Sequence, residues 1–173
     1  MARVVLTGQR VVLRPVDDGD LGDIEKIMAE PEVVRWWPRF DRARIRDELV
    51  GSEEPGETIY AIVVDDDQFA GIVQATEEED PDYRSAAIDI AVGTRWHGTG
   101  IAVDALRTLA RHLIDARGHH HFTIDPAAEN VRAIRCYAKI GFKPVGILRR
   151  NERGPDGTFH DALLMDLIAD ELQ

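Results

Sequence analysis

The segment between Asp89 and Ala102 constrains this chain more than any other. Ile90, Ala91 and Val92 read as the end of a buried strand, Gly93, Gly98 and Gly100 punctuate a short loop, and Ile101 opens an apolar helical stripe. A strand that passes to a helix through such a loop aims several free backbone N–H groups at one point. The positive end of the helix dipole points there too, and the combination suits a phosphate. Glycines at this spacing also occur in ordinary tight turns, so the pattern alone leaves both readings open. The lysine of a nucleotide-binding P-loop is missing, which disfavours a general nucleotide site.

The rest of the chain supplies the frame. Short β-branched runs at 4–6 and 11–14 suggest a first hairpin or bent strand. Asp17 and its neighbours offer caps for a helix whose face carries Leu21, Ile24, Ile27 and Met28, with Pro31 ending it. A second, charged helix is expected over about 41–50. Residues 58–64 and 69–75 flank an acidic turn at 65–68 and predict a hairpin. Residues 77–82 read as an acidic loop, 85–92 as a strand, and Ile101, Ala105, Leu106, Leu109 and Leu113 as one face of a long helix stopped near Gly118. Then follow a strand at 121–124, a helix at 130–140, and strands at 143–148 and 159–167 joined by turn-like sequence at 149–157. No repeat or linker divides the 173 residues, so residues 1–173 are expected to form one α/β domain with a mixed sheet and helices on both faces.

A second window gives the first its meaning. In the helix that begins at Asn130, seven residues separate Asn130 from Tyr137, placing them two turns apart on one face with the small Ala133 between them. Gly141 and Phe142 follow as a stop. Together the windows resemble the acetyl-coenzyme A site of the GNAT acetyltransferases, and the element order is similar over nearly the whole chain. The resemblance implies the GNAT fold, with a mostly antiparallel mixed sheet, and acetyl-CoA as cosubstrate. Ile90, Ala91 and Val92 would bond the pantetheine arm. His97, Gly98, Thr99, Gly100, Ile101, Ala102 and Val103 would cradle the phosphates, with His97 standing where the family usually has Arg or Gln. Asn130 would bond the pantetheine or a loop carbonyl, and Ala133 would let the coenzyme lie along the helix. Tyr137 would sit beside the sulfur as the acid for the departing thiolate, although a core tyrosine is the plain alternative. Trp96 fits a position that is often aromatic, where packing is its expected role. Cys136 lies about 100° around the helix from Tyr137 and reads as structural rather than as a nucleophile.

The acceptor side carries acids. Asp89 lies on the strand before the loop, and Asp125 closes the next strand in an Asp125–Pro126 step. A carboxylate can hold an ammonium and then take its proton, while capping and salt bridging are the structural alternatives. The run from Ile124 to Tyr137, with Ile88, Asp89 and the Trp36–Trp37 pair, resembles the aminoglycoside 6′-N-acetyltransferases of the broad-spectrum resistance type. That likeness implies that Asp89 and Asp125 hold drug amines, that one of them is the base, and that Trp37 walls a sugar ring. The acidic loop at 77–82, with Asp80 near its tip, would overhang the same cleft.

Bulk properties agree with a cationic small-molecule amine as partner. A formal charge of -11 argues against nucleic-acid binding, which needs basic surface. No apolar run approaches the ~20 residues of a membrane span, and nothing resembles a secretory signal. A lone cysteine fits a reducing cytoplasm. His97, His119, His120 and His121 lack the further ligands a metal would need, so no metal is expected. The state, monomer or homodimer, stays open. So do two rivals: a GNAT enzyme for a protein N-terminus, polyamine or siderophore precursor, and a non-catalytic CoA-binding sensor.

Overall fold

The computed structural model describes residues 4–65 and 67–173. In chain order the elements are β1 Leu6–Thr7, β2 Val11–Pro15, α1 Leu21–Met28, α2 Pro31–Val34, α3 Arg42–Arg44, β3 Glu57–Val64, β4 Gln68–Glu78, β5 Ser85–Val92, α4 Ile101–Asp115, β6 His121–Ile124, α5 Val131–Ala138, β7 Lys143–Arg153 and β8 Phe159–Ile168. The strands form one sheet in the order β1-β2-β3-β4-β5-β6-β8-β7. Every neighbouring pair is antiparallel except β5 with β6, which runs parallel. The expected mixed α/β sheet is therefore present. Asp66, in the expected acidic turn, lies outside the described residues, but the flanking strands pair as a hairpin.

Each sheet face buries its own apolar set. On one side Ile101, Ala105, Leu106, Leu109 and Leu113 of α4 pack on Leu13, Ile62, Val73, Ile88 and Phe122, with Tyr137 and Ile140 joining them. On the other, Leu21, Ile24, Ile27 and Met28 of α1 meet Ile59, Ala61, Val63, Ile72 and Ala91. The alternation along β3 that divides Ile62 from Val63 is the two-residue period of a strand covered on both faces. At Gly71 a side chain would collide with the Ala91 carbonyl oxygen, so glycine lets β4 and β5 approach there.

Three elements depart from expectation. The 41–50 helix forms only one α-turn, then widens into π-helical turns over Ile45–Val50, which turns Ile45, Leu49 and Val50 together into the core. Strand β4 runs through Glu77 and Glu78, so the acidic loop begins later than its composition suggested. Strand β7 continues to Arg153, because a bulge near Arg150 (φ 51°) absorbs the turn-like residues. The Arg150 N–H donates to Asp161 Oδ1 at 2.8 Å, which keeps the bulged backbone satisfied.

Candidate active site

The site begins where the parallel pair fails. β5 and β6 pair only at Ala86 with Phe122 and Ala87 with Thr123. Beyond that point the strands part, which leaves the β6-facing edge of Ile88–Val92 without a strand partner. A cavity of about 480 Å3 opens on the side of the 93–100 loop, and a smaller one of about 300 Å3 opens beside Asp89 and Asp125. Both are walled by Trp36, Trp37, Asn130 and Tyr137, so these four residues stand between them.

The loop-side cavity brings together Ile90, Ala91, Val92, His97, Gly98, Gly100, Ala102, Val103, Asn130, Ala133 and Tyr137. Gly98 and Gly100 take left-handed φ values of 74° and 87°, which glycine adopts without strain. The first backbone bond of α4 runs from the Asp104 N–H to the Gly100 carbonyl at 3.0 Å. The N–H groups of Ile101, Ala102 and Val103 therefore stay available, and no side chain caps them. A diphosphate fits this cradle, with the helix dipole behind it. Two expected residues, Ile101 and Thr99, are not among the lining residues. The Ile101 side chain is buried in the core, and the Thr99 hydroxyl turns back to the Trp96 carbonyl at 2.6 Å.

The helix from Asp104 onward is tied to the first hairpin. The buried Asp104 carboxylate accepts the N–H groups of Gln9, Arg10 and Val11 at 3.1, 2.7 and 3.1 Å. That clamp brings Arg10 across the loop, where its guanidinium donates to the Thr99 carbonyl at 2.5 Å. His97 instead folds inward, with Nε2 2.8 Å from the Val92 carbonyl oxygen. It braces the loop rather than offering a cation. Positive charge comes from Arg132, Arg135 and Lys139 of the α5 region, which line the cavity. Their i, i+3, i+7 spacing was present in the sequence, whereas the approach of Arg10 depends on tertiary packing.

Asn130 caps α5 through its side-chain oxygen, which accepts the Ala133 N–H at 3.2 Å. This fixes the start of the helix and therefore the direction of Tyr137. Tyr137 is buried against Phe142, with ring centroids 6.4 Å apart in an edge arrangement. Burial, reinforced by the negative charge of Asp89, holds its phenol well above the usual tyrosine range, so it keeps its proton. Cys136 is half-buried on the loop-side cavity, and burial pushes its thiol up as well, which disfavours a nucleophilic thiolate.

Asp89, Asp125, Asn151 and Glu152 come together in the smaller cavity beneath Trp36 and Trp37. The Asp89 carboxylate is open to the cleft yet surrounded by protein. Desolvation raises its pKa to about 7, with Asp125 and Glu152 adding repulsion and the Ile90 N–H opposing at 2.8 Å. Asp125 accepts the Asn151 side-chain amide at 2.9 Å. Burial, followed by Asp125, also raises the Glu152 pKa. Asn151 and Glu152 were missed because their segment has turn composition. The alternation that should mark a strand is broken by the bulge.

Asp80 does not join this group. It lies in the β4–β5 turn, at the other end of β5 from Val92, and lines neither cavity. Its Oδ1 accepts the Asp82 N–H at 2.9 Å, while Arg84 and Arg117 tie the turn to Glu79 and the end of α4. Glu77, expected in that loop, is buried within β4. It meets Arg117 at 2.9 Å and His119 at 2.6 Å. The loop thus braces the far end of the sheet, because the hairpin is longer than its acidic composition implied.

Known proteins place this geometry. The chain is 25% identical to aminoglycoside N(6′)-acetyltransferase type 1 of Klebsiella pneumoniae, over 89% of this chain and 82% of that one. RimJ of Mycobacterium smegmatis, solved with CoA-disulfide, superposes with a TM-score of 0.83 at 24% identity, covering 99% of this chain and 90% of the other. Spermidine N-acetyltransferase of Vibrio cholerae, solved with CoA and spermine, gives 0.79 at 19% identity, covering 94% and 97%. These two structures share the fold. Among the described residues no helix is long and apolar enough to cross a membrane. The family described as acetyltransferase (GNAT) domain matches residues 10–143, which include β5, the glycine loop, Asn130 and Tyr137, and this chain belongs to it.

Proposed function

We propose that this GNAT acetyltransferase moves an acetyl group from acetyl-CoA to an amine of an aminoglycoside, at the 6′ position, by direct attack in a ternary complex. GNAT enzymes use acetyl-CoA, which supplies the activated thioester. The observation that carries the reading is the position of Tyr137 in the wall common to both cavities, with the Asp89 carboxylate on the acceptor side. A proton donor and a proton acceptor thus flank the point where thioester and amine would meet.

The chain's own groups account for each proton. Asp89, with Asp125 beside it, binds the incoming ammonium and removes one proton, directly or through water. Backbone N–H groups on the edge of β5 that β6 leaves unpaired, where Ile90 is shared with Asp89, orient and polarise the thioester carbonyl. As the amine nitrogen bonds to the carbonyl carbon and the C–S bond breaks, Tyr137 gives its proton to the leaving sulfur. The second proton that the nitrogen sheds on becoming an amide returns to the Tyr137 oxygen through water, and Asp89 releases the first to solvent. Carboxylates and indole walls suit a polycationic sugar, and the 25% identical relative supports the drug class. Loss of one positive charge would weaken the product's grip on RNA phosphates, which gives the reaction a role in resistance.

The test is release of free CoA thiol by the purified protein with acetyl-CoA and kanamycin, spermidine or a short peptide. Rapid release with kanamycin, at a micromolar KM, is the expected result. Preferential turnover of spermidine or peptide overturns the drug assignment while leaving the chemistry in place. Tight coenzyme binding without turnover of any amine overturns the proposed reaction.

A further inference from the structure

We propose that Glu152 is a specificity-determining residue that binds a second ammonium of the acceptor, seated in an outer cavity that adjoins the reacting one. The inference rests on the amine-acceptor reading above and narrows its substrate to a molecule with at least two cationic groups. The outer cavity, of about 490 Å3, lies between the tryptophan pair, Ala127–Glu129 and the turn that joins β7 to β8. Trp36, Trp37, Ala127 and Glu152 line both cavities. Glu152 therefore stands on their shared border, carried there by the bulge that lets β7 continue past Arg150.

Three carboxylates face the inner chamber, and protein cations answer none of them there. Among the described residues, Asp89 is bonded only by the neighbouring Ile90 N–H, and Asp125 only by the neutral Asn151 amide. The half-buried Glu152 carboxylate accepts no hydrogen bond from any described residue. Like charges gathered in a partly desolvated space repel, and a bound proton, towards which the raised Asp89 and Glu152 pKa values point, or an entering cation relieves them. One ammonium at Asp89 and Asp125 leaves Glu152 with the attraction of His160, which lines the outer chamber and is itself bonded to Asp156.

The outer chamber's other groups are already engaged. Asp156 accepts from His160 and Thr158, and Asp161 accepts the Arg150 N–H. Arg153 is turned into the hairpin, where its Nε donates to the Gly157 carbonyl at 3.1 Å. Arg35 lies over the Trp36 ring at 4.7 Å. Glu129, on the rim, is exposed to solvent, which screens it. Glu152 is thus the open acid on that border. Trp36 and Trp37, which line both cavities, offer apolar surface to the framework that spaces two ammonium groups. A peptide N-terminus, with one ammonium and a neutral backbone, leaves this group idle.

The experiment compares steady-state kinetics of the full chain with polycationic amines, kanamycin and spermidine, and with singly charged ones, 6-amino-6-deoxyglucose and butylamine. Measured well above the Asp89 pKa, where removing a neighbouring charge no longer changes the ionisation of the base, Glu152→Gln should raise the KM of the preferred polycation about tenfold, or ~1.4 kcal/mol, and leave the KM of acetyl-CoA unchanged. The singly charged amines should show no such rise. For wild type alone, kcat/KM should favour the polycation at least tenfold, and the preference should shrink with salt. Equal effects of the substitution on both amine classes, or equal wild-type kcat/KM for them, overturn the proposal while preserving the amine-acceptor reading. Wild-type protein that releases no thiol with any of the four amines overturns both.

Discussion

The two halves of the cleft treat charge in opposite ways. On the loop side, backbone N–H groups of α4 and the guanidinium and ammonium groups of Arg132, Arg135 and Lys139 face the cavity. On the other side stand Asp89, Asp125 and Glu152, with no cationic side chain among the described residues that line the inner chamber. Only the wall of Trp36, Trp37, Asn130 and Tyr137 separates them. A polyanionic coenzyme and a cationic amine are thus drawn to opposite sides of that wall. The difference also explains how a chain of net charge -11 can hold a multiply phosphorylated ligand, because local donors rather than net charge define that cavity.

The sharpest way to break the comparison is to remove the base from the acidic half. Asp89→Asn should lower kcat/KM for the amine by about 10²–10⁴-fold and leave the KM of acetyl-CoA unchanged. Its pKa of about 7 also gives the pH dependence a sign. Asp89 must be ionised to take a proton, so wild-type activity should rise as pH increases through about 7. Asp125→Asn removes one of the charges that raise that pKa and should move the rise to lower pH. A wild-type profile that is unchanged in Asp89→Asn would assign the base elsewhere, with Asp125 the next to examine.

Tyr137 tests the boundary itself. Tyr137→Phe keeps the ring packed on Phe142 and deletes only the hydroxyl. We expect kcat to fall about 10²-fold with little change in either KM, as for loss of a group that acts in the transition state. Because burial holds the phenol protonated, wild-type activity should show no loss from Tyr137 ionisation near neutral pH. An unaltered kcat in the variant would make Tyr137 a packing residue.

The halves also differed in how far the sequence revealed them. The loop side is written in two contiguous windows, so the order of β5, loop and α4, and the two-turn spacing of Asn130 and Tyr137, could be read locally. Even there, the inward turn of His97 and the reach of Arg10 required the tertiary fold, since Asp104 holds the first hairpin against α4. The acidic side is assembled from residues 36–37, 89, 125 and 151–152, which meet only through sheet topology. Composition misled in both directions here. The acids at 77–82 belonged to a strand end and a remote turn, while the turn-like residues 149–153 formed a bulged strand that delivers Glu152. A bulge breaks the period-two pattern by which strands are recognised.

The smallest expected effect lies on the cationic rim. Arg135 and Lys139 are exposed, and exposed ion pairs contribute only about 0.2–1 kcal/mol each because water and salt screen them. Arg135→Gln and Lys139→Gln should therefore each raise the KM of acetyl-CoA by a few-fold at most, with the largest change at low ionic strength. The amine's KM should stay constant. That asymmetry distinguishes a divided cleft from one governed by overall charge. Removing a cation makes the protein more acidic, so a purely global field would improve amine binding as coenzyme binding declined. Steady-state titrations of both substrates at two salt concentrations separate the cases. If the amine's KM falls as the coenzyme's rises, the two halves share one field, and Tyr137 and the tryptophans divide the space without dividing the charge.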